Sequence, residues 1–510
     1  MRVVSAAQAA ARDADAIAAP IPSRALMQRA GAAAAAEIAL RFPERLAHGV
    51  TVFAGPGNNG GDGWVVARGL AAAGVAVRVD EPVPARSPDC LAERALARES
   101  IGDADDSSAG AALVVDALLG TGSSGAPRGE IAAAVERIAG ARRSGAAVVA
   151  LDLPTGVDAT VGAGAAHVVA DLSLTFGTLK RGHLLARAAC GRVVVLDIGL
   201  GRFAERPDGA GIAVDERWVA ERVPHIAHDA HKGTRGRVAV IGGSRGMAGA
   251  AVLAGRGALR GGAGLVRLLV ESASVEAVQQ GEPAALAAEW PVDAGARRRD
   301  VVEWADAVAI GPGLGSALEA RSLLERVLGE WRGPVVLDAD ALNAYAGRLD
   351  ALAPALDGRP ALLTPHPAEL ARLLGVDVAE VLARRFEIGA DAAARARAVV
   401  LLKGTPTVVS APDGRTFVSA SGTPALATGG SGDVLTGVAV ALLAQMPDAA
   451  AAGACAAWVH GRAASLAERA IGAQQTRGAT LDDVLGALPR AWSLRAAPTR
   501  YPVLFELDSP

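Results

Sequence analysis

The chain has 510 residues, of which 51% are hydrophobic and 21% are charged, so it is long enough for about two to four globular domains. Its formal net charge of −3 lacks the basic excess typical of nucleic-acid-binding and membrane-surface proteins. No uncharged run reaches the roughly 20 residues of a membrane span. Cys90, Cys190 and Cys455 lie too far apart to indicate a disulfide framework. Because no signal peptide is visible, we expect a cytoplasmic location.

Short apolar segments alternate with helical patterns in the first part of the chain, which predicts a parallel sheet with helical crossovers. The predicted helices are Ala6–Ala18 and Arg24–Arg41, and the predicted strands are Val50–Ala54, Val75–Val79, Leu113–Asp116, Ala147–Leu151 and Val193–Leu196. Gly199–Ile212, rich in Gly, Pro and charge, is predicted to be a linker. The predicted domains are therefore residues 1–212 and 213–510.

The second part of the chain repeats the alternation of strands and helices. Its predicted strands are Arg237–Ile241, Gly264–Leu269, Ala307–Ile310, Val335–Leu337, Ala361–Leu363 and Val399–Leu402. Its predicted helices are Ala248–Arg260, Arg321–Glu330, Pro367–Leu374, Gly432–Leu443 and Ala449–Ala470. The whole chain is thus expected to be α/β in class.

A glycine-dense turn, Gly55-Pro-Gly-Asn-Asn-Gly-Gly-Asp-Gly63, follows the first buried strand, and a helix is predicted from about Asp62. Ligands bind at the carboxyl ends of parallel strands, and glycines let a backbone approach them closely. The spacing is not the GxGxxG of common dinucleotide sites. We interpret the turn as a ligand loop; a plain strand-to-helix turn is the alternative.

Two further strand ends carry oxygen donors. Asp116 precedes a loop rich in Gly, Ser and Thr, and Leu151-Asp-Leu-Pro-Thr155 follows a buried strand. Asn59, Asp116 and Thr155 together suit a hard cation. Asp152 is a candidate for acid–base chemistry. Taken alone, Asp116 is as readily a loop cap, and Asp152 a helix cap or Asx-turn.

These three loops resemble the NAD(P)H-hydrate epimerase family, the N-terminal half of bifunctional repair enzymes for hydrated nicotinamide nucleotides. The resemblance implies a Rossmann-like three-layer α/β sandwich, a K⁺ ion on Asn59, Asp116 and Thr155, and Asp152 as the acid–base residue that also contacts the hydrated nicotinamide. It implies further substrate contacts at Asn58, Asn59, Gly60, Gly61, Asp62, Gly120, Thr121, Gly122, Ser123, Ser124, Gly125 and Ala126. Thr155 stands where the family usually has serine, and the hydroxyl is retained.

Only three of the 51 basic residues are lysines: Lys180, Lys232 and Lys403. Arginine does not replace a compact ammonium in a tight site, so each lysine is a candidate for a specific role. Lys180 ends a strand-like run, where a phosphate contact and a solvated loop position remain equally open.

Several turns of the second part follow strands. Gly242–Ala250 and Ile310-Gly-Pro-Gly-Leu-Gly315 are predicted ligand turns. Asp338 and Asp340 end a strand and suit a metal, although capping of the next helix is the better interpretation. His366 lies rigidly between two prolines, and Lys403-Gly-Thr-Pro-Thr407 suits a nucleotide phosphate or ribose.

The strongest signal is Thr428-Gly-Gly-Ser-Gly-Asp-Val-Leu-Thr-Gly437. Backbone N–H groups of Ser431, Gly432 and Asp433 at a helix N-terminus would form an anion hole for a transferring phosphoryl group. Asp433 would take the proton from a substrate hydroxyl. The alternative is a glycine-rich helix cap.

This part resembles the ribokinase-like superfamily through its GxGD motif, and the ADP-dependent NAD(P)H-hydrate dehydratase family through HKGxxGR, GPGLG, TPHPAE and KGTPT. The resemblance implies phosphorylation of the C6 hydroxyl of the hydrated dihydronicotinamide from ADP with Mg²⁺, followed by phosphate elimination. It implies substrate contacts at Ala250, Gly313, His366 and Asp433, and nucleotide contacts at Lys403, Gly404, Thr405, Pro406, Thr407 and Gly432. Ser431 and Ala368 depart from the usual threonine and glycine, the latter beside His366.

The sequence therefore predicts a bifunctional repair enzyme that epimerises NAD(P)H hydrate and dehydrates its S form. A ribokinase-like kinase of a small hydroxymethyl compound, fused to a nucleotide-binding module, is the alternative. The expected partners are hydrated NADH or NADPH and ADP, with neither nucleic acid nor membrane. We also expect a homo-oligomer, of an order that the sequence does not give.

Overall fold

The computed structural model describes residues 1–19, 21–101, 111–290, 304–315, 317–472, 476–495 and 499–509. The chain forms two compact units. The first comprises residues 1–211 together with 497–510, and the second comprises residues 212–496. The described residues include no helix that is long and apolar enough to cross a membrane.

The first unit is built on a seven-stranded sheet. In spatial order its strands are Val503–Leu507, Arg192–Leu196, Leu172–Phe176, Ala147–Leu151, Leu113–Ala117, Val50–Ala54 and Val77–Asp80. The pairs are parallel except for the first, which is antiparallel. Shorter pairs join Arg2–Val4 to Leu179–Lys180 and Val157–Asp158 to Gly162–Ala163.

Helices cover both faces of this sheet. They are Ala6–Ala18, Ser23–Arg41, Pro43–Leu46, Asn58–Ala72, Pro88–Ile101, Gly129–Arg143, Arg181–Leu185 and Arg187–Cys190. One core packs Ile38 and Leu70 against strand residues such as Val52, and the other packs Ile138 against Val148. The predicted three-layer α/β sandwich is confirmed.

The second unit contains a larger sheet. In spatial order its strands are Leu286–Glu289, Leu265–Val270, Arg237–Ile241, Ala307–Ile310, Val335–Leu337, Ala361–Leu363, Val399–Leu402, Thr407–Ser410, Thr416–Ser419 and Gly211–Ala213. The first seven strands are parallel, as the alternating pattern predicts. Thr407–Ser410 is antiparallel to both of its neighbours.

Two cores flank this sheet, so the second unit is also a three-layer α/β structure. One core includes Leu442 and Val459, and the other includes Leu324 and Leu370. The helices are Glu216–Ala220, Ala248–Arg260, Val275–Gly281, Ala317–Glu330, Asp340–Asn343, Leu352–Leu356, Pro367–Leu374, Val378–Ala383, Arg385–Ala396, Ser431–Leu443, Ala449–Ile471 and Leu481–Ala491.

The chain ends differently from the prediction. The predicted second domain runs to residue 510, whereas Val503–Leu507 pairs with Arg192–Leu196 and joins the first unit. Alternate residues of this strand, such as Val503 and Phe505, are buried, so it closes the apolar edge of the first sheet. Most of the predicted linker also packs on the first unit, where Asp208 binds the buried guanidinium of Arg12.

Candidate active sites

The glycine-dense turn brings two strand ends of the first unit into backbone contact. A Cβ atom on Gly60 would lie 1.8 Å from the carbonyl oxygen of Gly55, and one on Gly55 would lie 1.8 Å from that of Leu118. Only glycine permits such an approach. The helix therefore begins at Asn58, earlier than the predicted start near Asp62, and its first turn lies beside the end of Leu113–Ala117.

Asn59 is buried in this first helical turn, while Asn58 is exposed. Among the described residues, neither the Oδ1 nor the Nδ2 atom of Asn59 has a hydrogen-bond partner. A Cβ on Gly120 would lie 3.2 Å from the Cβ of Asn59 and 3.1 Å from Oδ2 of Asp152. Since buried amides are normally hydrogen-bonded, the unsatisfied amide marks a place for a ligand.

Asp116 and Thr155 form a second buried polar pair at the same strand ends. The Thr155 hydroxyl donates to Asp116 Oδ1 at 2.7 Å, and the Thr155 N–H donates to Oδ2 at 2.8 Å. Thr155 Oγ1 also accepts from the Leu119 N–H at 3.1 Å. Burial raises the pKa of Asp116 to about 6 against these hydrogen bonds.

Asp152 follows the strand Ala147–Leu151 and has a φ of +62°, in the left-handed region that non-glycine residues rarely adopt. Its Oδ2 accepts from the N–H of Thr121 at 2.8 Å and from the Thr121 hydroxyl at 2.5 Å. Its Oδ1 lies 2.7 Å from Nζ of Lys180. Burial alone would raise the pKa of Asp152, but Lys180 and these hydrogen bonds outweigh burial and lower it.

Lys180 is buried, which excludes the solvated loop position left open by the sequence. Besides Asp152, its ammonium binds the Thr175 hydroxyl at 2.7 Å and the Phe176 carbonyl at 3.2 Å. His183, three residues later, is fully buried and contacts both charged residues through their backbones. Sequence analysis missed His183. The available signal was its position three residues after Lys180, one of the three lysines of the chain, at the start of a helix.

The remaining loop residues divide into two groups. Two of them, Gly120 and Thr121, lie beside Asp152, and the Ser123 hydroxyl donates to the Gly120 carbonyl. The exposed group consists of Gly122, Ser124, Gly125 and Ala126. In the helix, Gly61 packs on Met27, and a Cβ there would lie 2.4 Å from its sulfur. Asp62 follows Gly61 in the same helix. Burial of the Asp62 carboxyl group, together with the negative charge of Asp152, raises the pKa of Asp62 well above its usual value.

In the second unit, Asp433 lies in the first turn of Ser431–Leu443, as predicted from the GxGD motif. Gly430 precedes this helix with a φ of +91°, and first-turn N–H groups lack intrahelical acceptors. The Ser431 N–H is bound to the Thr428 carbonyl, so the predicted anion hole would consist of the N–H groups of Gly432 and Asp433. Burial, and then the charge of Asp338, raise the pKa of Asp433 to about 7.

The side chain of Lys403 lies beside the first turn of the helix Ser431–Leu443. A Cβ on Gly432 would lie 3.3 Å from Nζ of Lys403, which is 2.9 Å from Asp338 Oδ1 and 3.7 Å from Glu369 Oε2. The Thr436 hydroxyl donates to Asp338 Oδ2 at 2.7 Å. Burial would lower the pKa of Lys403, but the surrounding carboxylates raise it.

The predicted helix cap at Asp338 is wrong. The helix Asp340–Asn343 begins after Ala339 without a side-chain cap, and the Asp338 carboxylate is bound to Lys403 and Thr436. Asp340 instead accepts from the Gly315 N–H at 3.0 Å. Sequence analysis quoted Glu369 and Thr436 within motifs but gave them no role, since their partners are distant in the chain.

His366 precedes the helix Pro367–Leu374 and caps it. Its Nδ1 accepts from the N–H groups of Ala368 at 3.1 Å and Glu369 at 3.3 Å, and its Nε2 lies 3.4 Å from Glu369 Oε1. The His366 side chain is 46% exposed, so a ligand can reach the ring, whose Nε2 also faces the Glu369 carboxylate. Ala368 lies within the first helical turn, where alanine is favourable.

The turn Lys403–Thr407 is held by the buried side chain of Arg385, a residue that the sequence motifs did not indicate. Its NH1 donates to the carbonyl oxygens of Lys403 at 3.3 Å and Pro406 at 2.9 Å. Gly404 has a φ of +139°, and a Cβ there would lie 2.5 Å from Arg385 NH1. The Thr407 hydroxyl donates to the Gly404 carbonyl at 2.9 Å. The turn is therefore fixed by this internal hydrogen bond as well as by Arg385.

Ala250 and Gly313 lie side by side, because the turns Gly242–Ala250 and Gly311–Gly315 pack together. The Ser244 N–H donates to the Gly313 carbonyl at 2.7 Å. A Cβ on Gly313 would lie 3.0 Å from the Cβ of Ala250. The two predicted substrate contacts are therefore neighbours.

Two family models match the chain. The model for NAD(P)H-hydrate dehydratase matches residues 238–487, and the model for the YjeF-related protein N-terminus matches residues 23–182. The crystal structure of an ADP/ATP-dependent NAD(P)H-hydrate dehydratase from Bacillus subtilis, co-crystallised with ATP and Mg²⁺, is 30% identical. It covers 55% of this chain and 98% of that chain, with a TM-score of 0.47.

Two curated relatives match nearly the whole chain, and both are named bifunctional NAD(P)H-hydrate repair enzyme Nnr. The relative from Moorella thermoacetica is 36% identical over 92% of each chain. The relative from Escherichia coli is 37% identical over 91% of this chain and 88% of its own. The chain therefore belongs to the family of bifunctional NAD(P)H-hydrate repair enzymes.

Proposed function

We propose that the two units divide the repair: the first epimerises NAD(P)H hydrate at C6, and the second dehydrates the S form to NAD(P)H. The observation that supports this division is a separate carboxylate–lysine site in each unit. Asp152 is paired with Lys180 in one, and Asp433 lies near Lys403 in the other. The domain limits follow the compact units, residues 1–211 with 497–510 and residues 212–496.

In the first unit, Asp152 is the proton-transfer residue. Epimerisation opens the C6–N1 bond: the C6 hydroxyl becomes a carbonyl as its proton passes to Asp152, and N1 keeps the bonding electron pair. Re-closure of N1 on the other face of the carbonyl returns the proton to the oxygen. The lowered pKa of Asp152 keeps its carboxylate ionised in the resting site, so it acts first as the proton acceptor, and its pairing with Lys180 makes it a weaker base than a free carboxylate. Asn58–Asp62 and Gly120–Ala126 hold the hydrated dinucleotide around it.

A K⁺ ion fits the residues beside this carboxylate. Asn59 offers a buried amide oxygen without a partner, and Asp116 is a buried carboxylate stabilised by hydrogen bonds alone. Thr155 adds a hydroxyl oxygen, and such oxygen donors suit a hard cation. Asn59, Asp116 and Thr155 would hold K⁺, which supplies positive charge that organises the loops.

In the second unit, Asp433 takes the proton of the C6 hydroxyl, whose oxygen attacks the terminal phosphorus of ADP, and AMP is the leaving group. The N–H groups at the start of Ser431–Leu443 and the Lys403 ammonium offset the developing negative charge. The C6–O bond then breaks with phosphate, a far better leaving group than hydroxide, C5 loses a proton to water, and the double bond between C5 and C6 is restored. Ala250, Gly313 and His366 contact the substrate, and Lys403–Thr407 with Gly432 contact the nucleotide.

Mg²⁺ fits the charge balance of this site. Asp338, Glu369 and Asp433 surround the single ammonium of Lys403, which leaves an excess of negative charge. Mg²⁺ usually binds through one or two carboxylates together with substrate phosphates. It would enter with ADP near Asp433 and supply charge neutralisation.

The test follows recovery of dihydronicotinamide absorbance from a mixture of both hydrate epimers, with ADP, with ATP and with neither. Complete recovery with ADP is expected for the unmodified chain. D152N should stall when the S form is consumed, and D433N should recover nothing while still exchanging epimers. A stable phosphorylated product from another substrate, without recovery from the hydrates, would instead favour the small-molecule kinase.

The cellular location and the oligomeric state of the enzyme are part of the same proposal. The three described cysteines are buried and unpaired, which suits the reducing cytoplasm. We place the enzyme there as a homo-oligomer. Fractionation and light scattering test these two points separately from activity.

A further inference from the structure

We propose that His183 is a positioning residue of the first site, holding Asp152 and Lys180 in register through their backbones. The inference rests on the proposed epimerase function of that site. It concerns a buried histidine outside the residues assigned above to substrate, cation or proton transfer.

The contacts of His183 fix its tautomer. Its Nδ1 accepts from the N–H of Lys180 at 3.2 Å, so the ring proton is on Nε2. Nε2–H therefore donates to the backbone carbonyl oxygen of Asp152 at 2.7 Å. The ring is fully buried, and burial lowers its pKa to about 4, which keeps it neutral.

These two hydrogen bonds join the peptide groups of the two residues that form the ion pair. Asp152 needs such support because its φ of +62° is unusual for a side chain with a Cβ atom. Lys180 ends a two-residue strand that pairs with Arg2–Val4 and precedes the helix Arg181–Leu185, and its backbone N–H donates to the His183 ring. The ring thus fixes both backbones, while the salt bridge of 2.7 Å joins the side chains.

A merely space-filling role makes a different prediction. If His183 only filled space, every polar replacement would reduce stability and epimerisation by similar amounts. A positioning role instead depends on which hydrogen bond remains, and it changes kcat more than KM, because substrate binding also uses the glycine loops.

Two variants separate the hydrogen bonds. Glutamine places its amide near Nε2, so H183Q keeps a donor for the Asp152 carbonyl. Asparagine places its amide near Nδ1, so H183N keeps an acceptor for Lys180 but loses the donor. H48Q is the control, since His48 is exposed and precedes Val50–Ala54 at the opposite end of the strands.

We expect kcat of epimerisation to fall about tenfold in H183N with KM nearly unchanged, and much less in H183Q. H48Q should match the unmodified chain. Equal losses in H183N and H183Q, or a normal kcat in H183N, would overturn the proposal.

A second measurement does not depend on activity. Crystal structures of H183N and of the unmodified chain should differ at Asp152, with the φ or the Lys180–Asp152 distance changed in H183N. An unchanged ion pair and backbone would overturn the positioning role. If the unmodified chain itself exchanges no epimers, the proposed function fails, and these structures still decide the role of His183.

Discussion

The two sites use the same pair of side chains, an aspartate and a lysine, in opposite arrangements. In the first unit Lys180 binds Asp152, the proposed proton-transfer residue, directly, and the pKa of that carboxyl falls. In the second unit Lys403 binds Asp338, and Asp433 is left beside negative charge with a pKa of about 7. Because Lys180 is bound to Asp152 itself, that carboxyl is ionised at neutral pH, whereas burial and the charge of Asp338 raise the pKa of Asp433 against the effect of Lys403.

The largest expected effect comes from removing the lysine of the first site. K180M leaves the buried Asp152 carboxylate without its cation, which costs about 3–5 kcal/mol of stability in the first unit. Epimerase kcat should fall at least about a hundredfold. Thermal unfolding and epimer exchange measure the two effects. K232M, which changes an exposed lysine, is the control, and a normal melting profile for K180M would contradict the pairing.

The second prediction concerns pH in the second site. Asp433 acts as a base only when ionised, so kcat/KM of dehydration should rise through about pH 7 and level off above it. D338N removes a neighbouring negative charge, which lowers the pKa of Asp433 and moves the rise to lower pH. A pH profile of the dehydratase reaction measures this, and a shift to higher pH would show that the charge of Asp338 is not the cause.

The third prediction concerns K⁺ and Asp116. The pKa of Asp116 is raised to about 6, so its carboxyl gains a proton as the pH falls through 6 and loses the charge that attracts K⁺. Stabilisation of the first unit by K⁺ should therefore weaken below pH 6. Melting temperatures at several K⁺ concentrations on either side of pH 6 measure the effect. D116N should remove the pH dependence; its persistence in D116N would place the cation elsewhere.

The smallest effects are expected at Thr155, where two variants form a matched pair. T155S keeps the hydroxyl that donates to Asp116 and loses one buried methyl group, so it should cost about 0.5–1.5 kcal/mol. T155V removes the hydroxyl and leaves Asp116 Oδ1 without that donor, at a cost of about 1–3 kcal/mol. Thermal unfolding in K⁺ compares them, and equal values would mean that the hydroxyl is not needed.

Two strands that carry site residues could be predicted with their bounds because they are buried on both faces, whereas the equally buried Leu172–Phe176 was not predicted. Val50–Ala54 and Ala147–Leu151 have the same bounds in the sequence prediction and in the structure. Continuous apolar runs bounded by glycine or aspartate leave little ambiguity. The assignment of the three oxygen-donor loops to one edge of the sheet follows from the same topology.

Long-range pairing could not be predicted. Asp338 is 65 residues from Lys403, and no local pattern distinguishes a carboxylate that caps a helix from one that binds a distant ammonium. The burial of Lys180 and Arg385 likewise depends on elements that meet only in the folded chain. The strand Val503–Leu507 was missed because its partner strand is distant in the chain, with Arg192 lying 314 residues before Glu506.

That strand also has a consequence for synthesis. The ribosome completes Val503–Leu507 only after it has made the entire second unit, so the first sheet keeps an unpaired edge at Arg192–Leu196 during most of translation. Unpaired edges template association between chains. A fragment cut near residue 212 would retain that exposed edge permanently, whereas one that carries the last strand on a short tether would cover it.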